Sequence, residues 1–226
     1  MRFGQPVSAS RGIGNPGQRR QSADMFDTPI SFAIRRGLPE AQKAHAAALY
    51  WQAFRTKLGR VMGPDDRALR FVSRVLDPDH ALCAICPDGT LLGVAGFKSY
   101  KSGFVGGSFR DFAAVYGVAG AVVRVGLIWL LQSDTENKRF LIDGLAVAAE
   151  ARGRGVGTAL LLAMRQEAAQ RGYRELRLDV ADGNDRARAL YERLGFRDAG
   201  WTGIGPLRHL FGFRGATTMV WPVTDT

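Results

Sequence analysis

Only two cysteines occur in the 226 residues, Cys83 and Cys86. A zinc site needs about four ligands, and one CxxC with no second pair and no histidine at ligand spacing does not make one. The pair falls in His80-Ala-Leu-Cys-Ala-Ile-Cys86, which reads as a buried strand carrying two structural thiols in a reducing cytoplasm. Histidine is equally sparse. His45, His80 and His209 are scattered, without a partner that suggests a metal or catalytic pair, so no metal is expected. Acids are missing altogether before Asp24, where the chain carries Arg2, Arg11, Arg19 and Arg20. The net charge of +10 therefore falls to +6 for the remainder, with 27 basic and 21 acidic residues. No Lys/Arg block is interleaved with aromatics, so nucleic acid is not an expected partner. A secretory apolar core is also lacking near the start. Phe109 to Leu131 is nearly all apolar, but Arg110, Asp111 and Arg124 interrupt it and Gly117, Gly120 and Gly126 weaken it as a helix. It reads as an internal helix rather than a transmembrane span.

What is present is the patterning of one globular domain. Residues 1–25 are rich in Gly, Ser, Gln and Arg without apolar periodicity, and are expected to be a disordered tail or a mis-assigned start ahead of Met25. Residues 26–226 are expected to form one domain. Ile30 to Arg35 alternates with period two and predicts a strand. A helix follows Gly37-Leu-Pro39, with Ala44, Ala47, Ala48, Trp51 and Phe54 as its apolar positions, and a second runs from Asp65 to Leu76. Leu82–Ile85 and Leu91–Phe97 flank Pro87-Asp88-Gly89 and predict an antiparallel hairpin. A helical insertion at about 101–138 separates these strands from Phe140–Val147, which is apolar on both faces and reads as central. A helix from Val156 to Arg171, a strand over Glu175–Val180, a helix over Asp185–Leu194 and strands near Phe196–Trp201 and Thr217–Trp221 complete an α/β (α+β) mixed sheet.

Two segments carry chemistry. In Val147-Ala-Ala-Glu-Ala-Arg152-Gly153-Arg154-Gly155-Val156-Gly157-Thr158 a strand ends, glycines allow close backbone approach, and a helix begins with free N–H groups. Such an end holds phosphate oxygens, and Arg152 and Arg154 add formal charge. The spacing of Gly153, Gly155 and Gly157 is not that of GxGxxG, and no Lys-Ser or Lys-Thr follows as in GxxxxGK[ST]. Downstream, Asn184 stands at a helix start in the position of an N-cap, and Ala187, Leu190, Tyr191 and Leu194 follow helical spacing before Gly195-Phe196.

Together these segments resemble the GNAT acetyltransferase superfamily. Its cofactor motif, [Arg/Gln]-x-x-Gly-x-[Gly/Ala], is matched by Arg152, Gly155 and Gly157. Its later motif, Asn-x-x-Ala-x-x-x-Tyr-x-x-x-Gly-Phe, is matched by Asn184, Ala187, Tyr191, Gly195 and Phe196. The resemblance implies a GNAT-like fold and an acetyl-coenzyme A-dependent N-acetyltransferase. The pyrophosphate would lie on the N–H groups from Arg152 through Gly153, Arg154, Gly155, Val156 and Gly157 to Thr158. The pantetheine arm would run beside Leu145, Ala146 and Val147 in a gap between splayed strands, with Asn184 also touching the cofactor. An amine would attack the thioester directly, with Tyr191 as acid to the departing thiolate. Asp143, four residues before Val147 and so expected on the face of Leu145 and Val147, is a candidate general base or a buried structural acid. Asp179 is a weaker candidate of the same kind. A small amine or a protein N-terminus would be the acceptor, and a homodimer is left open. The alternative is a catalytically silent acyl-coenzyme A-binding or sensing module on the same fold. The insertion, with Phe109, Phe112, Val115, Tyr116, Ala119, Val122 and Val123 at helical spacing, is expected to pack over the substrate side of the sheet as a lid.

Overall fold

The computed structural model describes residues 30–98, 103–131 and 139–223. The expected tail over 1–25 and the ends of the insertion at 101–102 and 132–138 lie outside the described residues.

Seven strands form one mixed sheet: β1 (Ala33–Arg36), β2 (Ala81–Ile85), β3 (Leu91–Lys98), β4 (Phe140–Val147), β5 (Glu175–Ala181), β6 (Arg197–Gly203) and β7 (Gly215–Pro222). Their spatial order is β1-β2-β3-β4-β5-β7-β6. Every neighbouring pair is antiparallel except β4 and β5. The hairpin forms as the Pro87-Asp88-Gly89 turn predicts, with Cys86 N–H bonded to the Thr90 carbonyl at 2.9 Å. β2 and β3 are buried on both faces, which explains their unbroken apolar runs. Cys83 lies in that interior as a free thiol, pushed by burial up to about 12.

Helices α1 (Lys43–Met62) and α2 (Asp65–Val75) pack on one another, and α1 lies against β3 and β4. The buried side of α1 is Ala46, Ala47, Leu49, Tyr50 and Trp51, whereas Ala44 and Ala48 face solvent. Alanines do not define a face by themselves, so the larger residues set the helix's rotation. Further along the chain, α4 (Val156–Gln170) covers the β2–β4 region. A Cβ on Gly93 would stand 3.2 Å from Leu160 and Val156 of that helix. α5 (Asp185–Leu194) ends at Gly195, beside the Trp221 indole of β7. A short α6 (Arg208–Phe211) caps the C-terminal half of α1, where the Arg60 guanidinium donates to the His209 carbonyl at 2.6 Å.

The helical insertion is α3 (Phe109–Leu131), interrupted at Gly117, where φ is +74°. It departs from the expected lid. The Phe112 ring lies tilted against Phe71 of α2 at 4.1 Å, and the Tyr116 hydroxyl donates to the Met62 carbonyl at the end of α1 at 2.6 Å. The insertion therefore leans on the helix pair rather than over the sheet. The Gly117 turn resets the helical phase, so of the seven residues expected on one apolar face only Phe112 and Tyr116 are buried. Val118, Val122, Val123 and Trp129 are each about 60–70% exposed.

Candidate functional site

The site begins with how β4 is held. On one side it pairs with β3 along nearly its whole length, from Lys98↔Leu141 to Gly93↔Val147. On the other it meets β5 only at Phe140↔Leu176 and Leu141↔Arg177. β5 is meanwhile paired with β7 over all its residues. Each strand is secured by its other neighbour, and the two part beyond Leu141. The cause lies in the next residues. Phe97 opposes Ile142 while Gly96 opposes Gly144, which leaves Asp143 as the extra residue of a β-bulge. A bulge bends and twists its strand. Leu145, Ala146 and Val147 thus reach the end of β4 with their β5-side edge unpaired among the described residues.

The bulge also corrects the expected placement of Asp143. One extra residue flips the alternation, so Asp143 does not share the face of Leu145 and Val147. Val147 turns toward Gly157, whereas Asp143 turns toward α1 and the 103–105 segment. The Val105 N–H donates to its carboxylate at 3.1 Å. Burial raises the Asp143 pKa, against the opposing pull of that N–H, Lys98 and His80. The carboxylate in turn helps burial push the Tyr50 phenol well up. Asp143 is therefore a carboxylate held largely out of water with one backbone donor.

Above it lies a cluster that the sequence pattern does not single out. Gly96 and Gly144 are cross-strand partners, and neither could carry a side chain. A Cβ on Gly96 would stand 2.3 Å from the Phe104 ring, and one on Gly144 would stand 2.8 Å from Tyr50. Two glycines thus let aromatic rings rest directly on the sheet at the bulge. Tyr50 and Phe54 stack at 4.3 Å, and Phe104 stands edge-on to Tyr50 at 6.0 Å. The i, i+4 spacing of Tyr50 and Phe54 is the one signal of it in the sequence. Their glycine floor is not readable there, because it depends on strand register.

The glycine loop is built as the sequence predicts. Gly153 and Gly155 take φ of +80° and +81°, values that L side chains adopt only with strain, and Gly155 is the N-cap of α4. No side chain caps this helix and no acid stands in its first turn. The helical ladder opens with the Ala159 N–H, which donates to the Gly155 carbonyl at 2.9 Å. The N–H groups of Val156, Gly157 and Thr158 are therefore open, at the positive end of the helix dipole. Arg152 donates through Nε to the Val147 carbonyl at 3.1 Å, tying the loop back to the end of β4. A Cβ on Gly157 would lie 3.3 Å from Leu190 and 3.9 Å from Val147, so β4, α4 and α5 converge here. These features suit a phosphorylated ligand with an extended amide-bearing arm: open N–H donors for phosphate, and an unpaired strand edge for amides.

Tyr191 is buried, with its ring 5.6 Å from Phe196, and burial pushes its phenol up to about 12. Its hydroxyl has no protein hydrogen-bond partner among the described residues. Asn184 occupies the N-cap position of α5, but its exposed side chain makes no capping bond. Asp179 is committed elsewhere: it pairs with Arg177 at 3.3 Å and accepts from the Thr218 hydroxyl at 2.6 Å. His80 does have a carboxylate partner, contrary to expectation. Its Nδ1 lies 2.9 Å from Asp77, three residues earlier on a short turn that no periodicity announces.

Comparisons with known proteins agree with this geometry. The family model described as "Acetyltransferase (GNAT) family" matches residues 45–196. A thialysine N-epsilon-acetyltransferase from Bos taurus is 33% identical over 98 residues, 42% of this chain and 54% of that protein. The chain thus spans about half the length of the curated relatives it matches. Among solved structures, Ard1 from Thermoplasma volcanium superposes with a TM-score of 0.55 at 16% identity, covering 87% of this chain and all of that one. A GCN5-related N-acetyltransferase from Kribbella flavida gives 0.54 at 21%, covering 86% and 99%. At such identities the structural likeness establishes the fold.

Proposed function

Since the chain belongs to the acetyltransferase (GNAT) family, we propose that it moves an acetyl group from acetyl-coenzyme A to a primary amine by direct attack. The observation that carries this reading is the divergence of β4 from β5 beside an uncapped helix N-terminus. The open N–H groups of Val156, Gly157 and Thr158, with Gly153, Gly155, Arg152 and Arg154 around them, would hold the pyrophosphate. The free edge at Leu145, Ala146 and Val147 would hold the pantetheine amides, and Asn184 would add a side-chain contact. That arrangement brings the thioester toward the bulge, where Asp143 lies beneath the aromatic cluster.

In the reaction the amine nitrogen bonds to the thioester carbon, the carbon–sulfur bond breaks, and the sulfur leaves as a thiolate. Asp143 takes the proton that the amine loses, directly or through a water. Its raised pKa brings it closer to neutrality than an ordinary carboxylate, which improves it as a base. Tyr191 faces the thiolate. A phenol at about 12 keeps its proton throughout the working range, so it serves the sulfur first as a hydrogen-bond donor. Final protonation of a thiol of ordinary pKa near 8.5 needs little further driving force. The relatives that act on the terminal amine of thialysine favour an aliphatic side-chain-like amine as acceptor over a protein N-terminus.

The test is to incubate the purified chain with acetyl-coenzyme A and a panel of amines, reading thiol release together with a thermal shift on cofactor alone. Amine-dependent thiol release is the expected result. A thermal shift without thiol release from any amine would instead mark a silent acyl-coenzyme A-binding module.

A further inference from the structure

We propose that Lys57 reads an anionic group on the acceptor, so that the preferred acceptor is an amine carrying a carboxylate several bonds away. This rests on the acetyltransferase reading above and adds the chemistry of the acceptor's far end.

Tyr50, Phe54, Lys57 and Val61 follow one another at i, i+4, i+7 and i+11 along α1, so they lie on a single stripe. Tyr50 and Val61 are buried and Phe54 is half-buried, yet this stripe carries a lysine. Lys57 is itself half-buried, with its Nζ 5.8 Å from the centre of the Phe54 ring. Among the described residues no carboxylate forms an ion pair with it. Three arginines on these helices do have an acid partner: Arg55 pairs with Asp65, Arg70 with Asp66 and Arg74 with Asp111. An ammonium group that is partly stripped of water and left without an anion is costly to keep. Burial accordingly lowers its pKa. A ligand anion would remove that cost.

The position of Lys57 says which ligand. The Tyr50 and Phe54 rings sit on Gly144, next to Asp143. Lys57 lies beyond Phe54 on the same stripe, on the side away from Tyr50. The charges that act on the Asp143 carboxylate are Lys98 and His80, so Lys57 is not its counter-ion. A carboxylate at one end of the aromatic pair and an ammonium at the other complement a molecule that has an amine at one end and a carboxylate at the other. Seven residues of helix separate Tyr50 from Lys57, a rise of roughly 10 Å. That length suits an amine several methylenes from its carboxylate, rather than the α-amine of the same amino acid.

The experiment compares 6-aminohexanoate with hexylamine, which differ in the carboxylate, using acetyl-coenzyme A and reading thiol release. The native chain should favour the carboxylated amine in kcat/KM by roughly tenfold or more, the scale of a charge-assisted hydrogen bond. Lys57→Met and Lys57→Gln should bring the ratio toward one, mainly by raising the Michaelis constant for the carboxylated amine, and Lys57→Arg should restore part of the preference. The thermal shift on acetyl-coenzyme A should persist in all three, which also shows that they fold. Equal use of the two amines by the native chain, or an unchanged ratio in the Met and Gln variants, would overturn the assignment of Lys57 alone. Absence of transfer to every amine would overturn the acetyltransferase reading, and this proposal with it.

Discussion

Tyr191 and Asp143 show how burial raises the pKa of two side chains that have different roles in the proposed chemistry. The Tyr191 ring is fixed by Phe196, so removing its hydroxyl leaves the packing in place. Tyr191→Phe should therefore lower turnover, within the roughly 10²–10⁴-fold typical of general acids, and change acetyl-coenzyme A affinity far less. Steady-state kinetics beside cofactor titration will show it, and unchanged turnover would return Tyr191 to a packing role. For Asp143 the sign of the linkage matters. Its folded pKa is raised, so the neutral form is the one the fold prefers. Its contribution to stability is fully present below the unfolded value of 3.8 and is lost as pH rises through the folded pKa. Asp143→Asn cannot ionise and still offers an oxygen to the Val105 N–H. The variant should lose turnover, and its melting temperature relative to the native chain should climb as pH rises above about 4. A native turnover that is independent of Asp143 across that range would remove it from the mechanism.

At the scale of elements, the glycine loop and α4 are legible in the sequence because every determinant is local. Gly153, Gly155 and the uncapped first turn lie within a few residues of one another, and a strand-to-helix turn has the same physics wherever it occurs. The same holds for the hairpin at Pro87-Asp88-Gly89 and for Tyr191 on α5. What escapes the sequence depends on pairing. The bulge at Asp143 exists only because Gly96 opposes Gly144 while Phe97 opposes Ile142. Without that register, simple alternation puts Asp143 on the wrong face, and the floor beneath Tyr50 and Phe54 is invisible. The helix end offers its own test. Gly155→Glu would confound charge with backbone strain, because Gly155 has a positive φ. Thr158 lies within the helix, so Thr158→Glu adds the charge without that strain. An acid in the first turn stabilises an uncapped helix by about 0.3–1 kcal/mol, yet it would compete with and repel a phosphate. The variant should therefore melt at or slightly above the native temperature and lose the upward shift on acetyl-coenzyme A. A retained shift would place the phosphates elsewhere.

Across the whole molecule the distribution of buried apolar surface is uneven, and α3 concentrates the contrast. Its first turns contribute Phe112 and Tyr116 to a cluster with Phe71, and the Arg124 guanidinium lies 3.9 Å over the Tyr116 ring while donating to the Gly63 carbonyl at 3.3 Å. Its other side presents Val118, Val122, Val123 and Trp129 to solvent, each more than half exposed. Free energy of folding follows area removed from water rather than the apolar character of a residue. The two sides of one apolar helix should therefore respond very differently to polar or truncating substitution. Phe112→Ala removes a packed ring and should cost about 3–5 kcal/mol, on the order of ten degrees in Tm at this chain length. Val122→Ser combined with Val123→Ser removes side chains that bury little in the folded chain, and should cost within about 0.5 kcal/mol at each position. Urea unfolding of the two variants beside the native chain measures both numbers under the same conditions. If the double serine variant lost as much stability as Phe112→Ala, the outer side of α3 would have to be covered in the folded protein, and the asymmetry read from its exposure would be wrong.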